Sequence, residues 1–391
     1  MLWVEHRANE LSKRMPNFYE FFAGGGMARA GLGDAWNCLF ANDFDPKKVE
    51  SYSDNWGRHE VVQDDVNNVD PTQLPGQADL IWASFPCQDL SLAGGGAGLK
   101  GARSGTFWPF WSKVQSLTAQ GRKPSFVVLE NVTGMLSSHK GKDFQAICQA
   151  LHDGGYHFGA VVVDAAHFVP QSRKRVFIVG VAFECALGSE FVQDVPHDVW
   201  HPKPLRTAYS HLHDDLRRAW IWWRLPEVSA RTKQFIDFFE ESPADVDWHS
   251  KAETAKLLGM MSDRNRRKLE DAQRKGERVV GTLYRRTRPS PAGGVQRAEI
   301  RLDGTAGCLR TPSGGSSRQI VVCSDAQGVR SRLISAREAA RLMGLPDSYK
   351  LPKNYNDAYH LLGDGLAVPA VAFVANNLLL PMTKVDLARA A

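Results

Sequence analysis

Seven short apolar runs recur through the first half of the chain: NFYEFF (17–22), CLFAN (38–42), EVVQ (60–63), DLIWASF (79–85), SFVVLENV (125–132), GAVVVDAA (159–166) and RVFIVGV (175–181). Several are apolar almost throughout, the composition of strands covered on both faces. Amphipathic segments lie between them, such as DPKKVESYSDNW (45–56) and GKDFQAICQALHDGG (141–155). The second ends in a glycine pair, a common helix stop. Strands alternating with helices predict a doubly wound α/β sheet over residues 1–185.

After residue 185 the rhythm fails. Residues 186–325 are rich in Trp, His, Arg and Pro, with turns such as RPSPAGG (288–294) and TPSGGSSR (311–318), and predict a smaller, irregular domain. Order returns at SAREAARLMGLPDSY (335–349), where Ser335 and Glu338 have the spacing of a capping box. A last apolar helix, VPAVAFVANNLLLP (368–381), is expected to return residues 326–391 to the first domain and pack on its sheet. No internal repeat or low-complexity tract is evident.

The 391 residues, 43% hydrophobic and 23% charged, suit one large or two modest globular domains. No basic-plus-apolar leader opens the chain, and no uninterrupted apolar run approaches the roughly 20 residues of a membrane helix. The expected home is the cytoplasm, with no membrane partner. Six cysteines, at 38, 87, 148, 185, 308 and 323, form no C-x-x-C pair, so neither structural zinc nor a disulfide framework is expected. No metal site is predicted. The net charge of +5 is uneven: residues 261–320 hold 14 Lys/Arg against 6 Asp/Glu, so this stretch carries +8 and the remainder −3. Concentrated positive charge fits a polyanion partner or a solvated basic surface.

NFYEFFAGGGMARAGLG (17–33) reads as strand, glycine turn and helix start. Gly24 and Gly26 let the backbone pass close to a ligand. Asp43 ends the next strand, where an acid accepts hydrogen bonds from ribose hydroxyls. Phe44 offers a face to a purine, and Asp65, after the third strand, offers a carboxylate to an adenine amino group. A dinucleotide fingerprint is not met, because position 29 is Arg where the third glycine is required. S-adenosylmethionine carries adenosine without a pyrophosphate.

Pro86–Cys87 follows the fourth strand at the same sheet edge, ahead of glycines at 94–96, 98, 101 and 105. A buried inert thiol is the usual fate of cysteine. The proline, the strand end and the glycine-rich loop favour a thiol facing a cleft under a lid. Glu130 in LENV sits at the end of the next long strand, where apolar neighbours favour its neutral, proton-donating form. QSRKR (171–175) supplies Gln171, Arg173 and Arg175. The two arginines, two apart in an extended segment, share a face and suit phosphate or carbonyl oxygens.

The order FAGGG, ANDFD, QDDV, FPCQ, ENV, QSRKR, a variable stretch, SAREAARLMGLP and YHLLGDGLAVP resembles the DNA cytosine-5 methyltransferases. The resemblance implies a Rossmann-like, S-adenosylmethionine-dependent catalytic domain (1–185), a target-recognition domain (186–325) and C-terminal helices (326–391). It implies Cys87 as nucleophile, Glu130 as its acid partner, and Arg173 and Arg175 as holders of the target cytosine and its backbone. Phe22, Ala23, Gly24, Gly26, Asp43, Phe44, Asp65, Val66 and Pro86 would form the donor site. Gln88, Arg103, Arg264, Arg285, Arg286 and Arg288 are the candidate DNA contacts. Two departures stand out: Ser84 where many members have Gly, and Gly363-Asp364-Gly365 where Gly-Asn-Ser or Gly-Asn-Ala is common.

The implied reaction is methyl transfer to C5 of a cytosine flipped out of duplex DNA, through a Cys87–C6 adduct. The implied setting is a restriction-modification system, with double-stranded DNA and a cognate endonuclease as partners and a monomeric enzyme. The alternatives are an RNA cytosine-5 methyltransferase and a non-catalytic DNA-binding module on the same fold. The long variable domain argues against the first, and the intact Cys87, Glu130 and Arg175 set against the second. A nicotinamide dehydrogenase is disfavoured by the broken glycine fingerprint.

Overall fold

The structure, a computed structural model, describes residues 14–86, 106–290, 293–311 and 318–390. They divide into two units. The first holds residues up to Val163, Lys174–Glu227 and Ala370 onward; the second holds Asp164–Arg173 and Val228–Pro369.

The first unit is built on β1 (Asn17–Phe21), α1 (Met27–Leu32), β2 (Asn37–Asp43), α2 (Pro46–Trp56), β3 (Val61–Gln63), β4 (Leu80–Ala83), α3 (Phe107–Ala119), β5 (Phe126–Val132), α4 (Lys142–Asp153), β6 (Tyr156–Asp164) and β7 (Lys174–Ala182). Every strand expected from the apolar runs is present. The seven form one sheet in the order β3-β2-β1-β4-β5-β7-β6. β1 pairs in parallel with both β2 and β4, β4 pairs in parallel with β5, and β7 runs antiparallel to β5. The strand order therefore reverses at β1, and ligands of open sheets bind at the carboxyl ends beside such a point.

The continuous apolar runs are explained by burial on both faces. Leu80, Ile81, Trp82, Ala83, Val127, Val128 and Leu129 are all inaccessible. Each large side chain so buried is worth about 1.5–3 kcal/mol before entropy is counted. The helix signals also hold. Asp45 caps α2 by accepting from the Lys47 amide at 2.9 Å. α4 ends at Gly154, followed by Gly155 with φ 79°.

The expected boundary at residue 185 is corrected. Residues 186–227 belong to the first unit, as β8 (Val192–Gln193), α5 (Lys203–Ser210), α6 (Asp214–Arg218) and β9 (Trp222–Trp223). Trp220, Trp222, Leu205 and Leu216 enter the same apolar core as Phe144, Ile147 and Phe158. The tryptophans that broke the sequence rhythm are core residues in elements too short to show a period.

The second unit holds α7 (Lys251–Gly259), α8 (Asp263–Arg274), β10 (Val279–Ser290), β11 (Gly293–Arg301), β12 (Ile320–Asp325), β13 (Gly328–Leu333), α9 (Ala336–Leu342) and α10 (Tyr355–Asp364). Its strands make an antiparallel sheet in the order β11-β10-β12-β13. Leu257, Met261 and Leu269 cover it by packing on Leu283, Ala298, Ile300, Ile320 and Val322. The expectation of an irregular domain is thus corrected. Residues 326–369 also belong here rather than with the first unit. The capping box at α9 is present: Ser335 Oγ accepts from the Glu338 amide at 3.0 Å, and Glu338 accepts from the Ser335 amide at 2.8 Å. Glu338 also takes a two-pronged ion pair from the fully buried Arg332, at 2.7 and 2.8 Å.

The chain closes with α11 (Val368–Val374), a π-helical turn at Ala375–Leu379 and α12 (Leu380–Ala390). From Ala370 onward it joins the first unit, where the π turn meets α1. Residues Tyr355–Asp386 are long and apolar enough by composition to cross a membrane, with mean hydropathy 1.6. The helix is nevertheless interrupted at residues 365–367, and half of the apolar window is buried within the protein.

Candidate active site

The glycine turn after β1 is held by side chains from β2 and α2. Asp43, at the end of β2, accepts from the Gly24 amide at 2.8 Å through Oδ2 and from the Asp45 amide at 2.9 Å through Oδ1. It is buried, and that burial pushes its carboxyl above the usual range. Ala23 is tied to β2 by its amide, which donates to the Asn42 carbonyl at 2.9 Å. At Gly26 a Cβ would lie 2.3 Å from the Trp56 indole nitrogen, so only glycine fits. That indole donates to the Gly25 carbonyl at 3.2 Å. Arg29 lies over the Trp56 ring at 5.1 Å and donates to the Tyr52 hydroxyl at 2.9 Å. The arginine that broke the dinucleotide fingerprint thus braces the turn from behind.

Three features mark the turn as more than a chain reversal. Phe22 has φ 58°, left-handed backbone that costs a non-glycine residue about 1–2 kcal/mol. A Cβ on Gly24 would meet nothing within 4 Å, so space is open beside it. Phe44, next to Asp43, is 72% exposed. Below the turn, Glu20 on β1 is buried with Oε2 unpartnered among the described residues. Burial pushes its carboxyl up to about 8, against the opposing pull of Arg29. After β3, Asp65 is half-buried and accepts from the Asn67 amide at 2.8 Å, beside the buried Val66.

Along the same sheet edge, β4 leads through Ser84, Phe85 and Pro86 towards Cys87. Cys87, Gln88 and Arg103 lie outside the described residues. Ser84 accepts from the Trp82 indole at 2.9 Å, which gives the hydroxyl at that position a structural partner. Asn131 on β5 is buried and donates to the Phe85 carbonyl at 3.1 Å. Its neighbour Glu130, also buried, places Oε1 3.1 Å from Arg175 Nε. The antiparallel register explains that pair: Val132 faces Arg175 and Glu130 faces Phe177, so Glu130 and Arg175 are diagonal neighbours on one face.

Arg173 departs from expectation. It was to hold the target alongside Arg175, but it falls in the second unit and is 2% exposed. Its guanidinium donates to the carbonyls of Leu309 (2.8 Å), Gly363 (2.9 Å) and Gly365. A side chain enclosed in this way organises backbone. Gln171 does the same, donating to the Leu342 carbonyl at 2.8 Å and accepting from the Leu309 amide at 3.1 Å. Asp364 accepts from the Thr311 hydroxyl. Among the candidate DNA contacts, Arg264 is exposed on α8, and Arg285, Arg286 and Arg288 follow one another along β10.

Sequence reasoning missed Asn131, Glu20 and the Arg29–Tyr52–Trp56 brace. Asn131 stood inside ENV, and a second polar side chain directly after Glu130 at the end of an apolar strand was the available signal. Among the described residues no His, Cys, Asp and Glu grouping could hold a metal ion.

A sheet of this order, with its penultimate strand inverted and a glycine turn at the switch point, defines the Rossmann-like methyltransferase fold. Solved structures agree. The Dnmt2 methyltransferase of S. pombe superposes with a TM-score of 0.59 at 18% identity, covering 93% of this chain and 98% of that one. The Entamoeba histolytica methyltransferase EhMeth gives 0.60 at 13% identity, over 92% and 97%. The chain belongs to the C-5 cytosine-specific DNA methylase family, whose model matches residues 16–379. It is a DNA (cytosine-5)-methyltransferase. Among similar proteins, type II methyltransferase M.NlaX of Neisseria lactamica is 26% identical over 92% of this chain and 95% of its own length. M.HpaII of Haemophilus parainfluenzae is 24% identical over 96% and 92%.

Proposed function

We propose that the enzyme takes its methyl group from S-adenosylmethionine and delivers it to C5 of a cytosine flipped out of a specific duplex, through a covalent bond between Cys87 and C6. The observation that carries the reading is the pair of the buried Glu130 with Arg175, beside Asn131, whose amide holds the carbonyl two residues before Cys87.

The turn fits the donor. Gly24 leaves open space, Phe44 offers an unpacked aromatic face for a purine, and Asp43 and Asp65 supply carboxylates at adjacent strand ends. S-adenosylmethionine supplies an electrophilic methyl group. The protein's part is to make C5 nucleophilic. The Cys87 thiolate adds to C6, and the electron pair displaced from the ring is taken up as Glu130 delivers a proton to N3. Arg175, paired with Glu130 through Nε, orients that carboxyl and brings its guanidinium to the cytosine O2. After transfer a base removes the C5 proton and the thiolate leaves. Extruding the base costs a few kcal/mol, which contacts to the duplex offset. We assign those contacts to the second unit, where the basic excess lies.

The type II methyltransferase names of its relatives support a role as the modification half of a restriction-modification system, in the cytoplasm, with an endonuclease sharing its target. The test is transfer of labelled methyl from S-adenosylmethionine to DNA and to RNA. Cys87→Ala should bind both substrates yet transfer nothing, and duplexes with 5-fluorocytosine at the target should trap wild-type protein covalently. Turnover by the alanine variant, or labelling of RNA alone, would overturn the reading.

A further inference from the structure

The outer part of β10 and β11 is a ribbon that extends past β12, anchored at its base where the Ala298 amide donates to the Met260 carbonyl at 3.1 Å. β10 pairs with β12 only over Val279–Leu283, and β11 is the edge strand of the sheet. Beyond Leu283, the strand partner of Tyr284–Ser290 among the described residues is Gly293–Glu299. At about 3.3 Å per residue these two strands run roughly 20 Å. An isolated two-stranded ribbon is marginal in water.

Its charges make it worse. Arg286 and Arg297 are directly paired across the strands, and like charges so placed are destabilising. Neither has a carboxylate ion-pair partner among the described residues. Arg286 instead lies over the Tyr284 ring at 4.8 Å. Four arginines and one glutamate fall between residues 284 and 299. A ribbon that extends past its sheet and carries facing like charges is suited to a polyanion.

Arg288 is treated differently. Its Nε donates to Glu299 Oε1 at 2.8 Å and its Nη2 to the same oxygen, while Glu299 Oε2 accepts from the Tyr284 hydroxyl. The register requires this: Tyr284, Arg286 and Arg288 share a face with Arg297 and Glu299, since Tyr284 opposes Glu299 and Arg286 opposes Arg297. With Nε and one Nη2 hydrogen held by the carboxylate, the guanidinium keeps its far edge, Nη1 and the outer Nη2 hydrogen. That edge matches the O6 and N7 acceptors of guanine in the major groove.

We propose that the Tyr284–Ser290/Gly293–Glu299 ribbon enters the major groove of the substrate duplex. Arg288, aimed by Glu299 and Tyr284, reads a guanine, and the Arg286–Arg297 pair contacts phosphates. The groove, about 12 Å wide, admits a two-stranded ribbon. Glu299 and Tyr284 are positioning residues, and Arg288 is the specificity residue. The inference rests on DNA being the substrate.

The experiment measures binding of the full chain to its target duplex and to a scrambled duplex over a range of salt. The target is first located by sequencing DNA methylated by the wild type. Arg286→Gln with Arg297→Gln should weaken both complexes by the same factor and flatten the slope of log K against log salt by about 1.8, or 0.9 per phosphate contact. The same variant should melt no lower than wild type in low salt, because a repulsion has been removed. Glu299→Gln and Arg288→Met should lower discrimination roughly ten- to a hundredfold at one guanine, with non-specific affinity nearly unchanged for Glu299→Gln. An unchanged salt slope in the double variant, or undiminished guanine preference without Arg288, overturns the assignment. Binding of an acidic protein instead of DNA would do so too. Absence of methylation by wild-type protein would count against the proposed function, and the salt slope on a scrambled duplex would still test the Arg286–Arg297 contacts.

Discussion

The side-chain amide of Asn131 donates to the main-chain carbonyl of Phe85 across 3.1 Å, joining the ends of β5 and β4. One strand carries the acid, and the other leads to the thiol. Replacing Asn131 with Leu leaves that carbonyl unsatisfied, a loss of about 1–3 kcal/mol. Its main effect should fall on the methyl-transfer rate, reduced roughly 10- to 100-fold, with donor affinity little altered. Single-turnover kinetics beside donor titration would check this. A fall in donor affinity with an unchanged rate would show that the link serves the donor site instead.

The Glu130–Arg175 pair should behave as one unit. Glu130→Gln removes the proposed proton donor and should lower the transfer rate by about 10²–10⁴-fold. Arg175→Met removes the cation 3.1 Å from the buried Glu130 and should destabilise the protein, by less than the about 3–5 kcal/mol of a fully buried pair because Arg175 is partly exposed. The double variant should then lose far less than the product of the two single losses. A full double-mutant cycle on transfer rate and stability measures that coupling. Additive losses would mean that the 3.1 Å contact does not matter to the reaction.

Asp43 is expected to act twice. Its two oxygens receive the Gly24 and Asp45 amides, so Asp43→Ala should destabilise the protein by about 1–3 kcal/mol as well as weaken donor binding. Asp43→Asn keeps one acceptor and should fall between. Calorimetric donor titration paired with denaturant unfolding separates the effects. A stability unchanged in Asp43→Ala would show that the turn holds its shape without these bonds.

Glu20 should make stability depend on pH. Its folded carboxyl titrates at about 8, above the unfolded value near 4.3. The native state therefore keeps a proton that the unfolded chain releases, and the contribution is full below about pH 4 and lost as pH rises towards 8. Glu20→Gln removes that dependence. Relative to wild type, the variant should gain on the order of 3–5 kcal/mol at most between pH 5 and pH 9, measured by urea unfolding. A constant difference across that range would show that the group is ionised throughout.

The strands were legible where burial on both faces wrote uninterrupted apolar runs, as in DLIWASF and SFVVLENV. The α9 capping box and the Gly154–Gly155 stop were legible because each is local. The second sheet was not. On the outer half of β10, Tyr284, Arg286 and Arg288 alternate with Arg285 and Thr287, so neither face is apolar and the strand pattern disappears. Trp220–Trp223 misled in the other direction, as their core packs elements of two to eight residues. The site was readable as a set of strand-end residues, because β1, β2, β4 and β5 deliver them to one edge. The surroundings of Arg173 were not readable, because chemical type says nothing about direction: only the fold shows the guanidinium enclosed by carbonyls.

That enclosure bears on how such an enzyme changes its target over evolutionary time. The chain passes between the two units four times, and residues 164–173 form a short excursion separate from the long one at 228–369. A gene segment encoding only the longer excursion could be exchanged for a foreign one, and the incoming segment would still meet Gln171 and Arg173. Both grip mainly peptide carbonyls and an amide, atoms that every sequence possesses. A socket built for backbone accepts newcomers whatever their side chains, provided that Gly363, where a Cβ would lie 2.9 Å from the Thr311 amide nitrogen, stays a glycine. On the proposed division of labour, specificity can then drift or be swapped while the strands that carry the proposed catalytic residues are inherited unchanged.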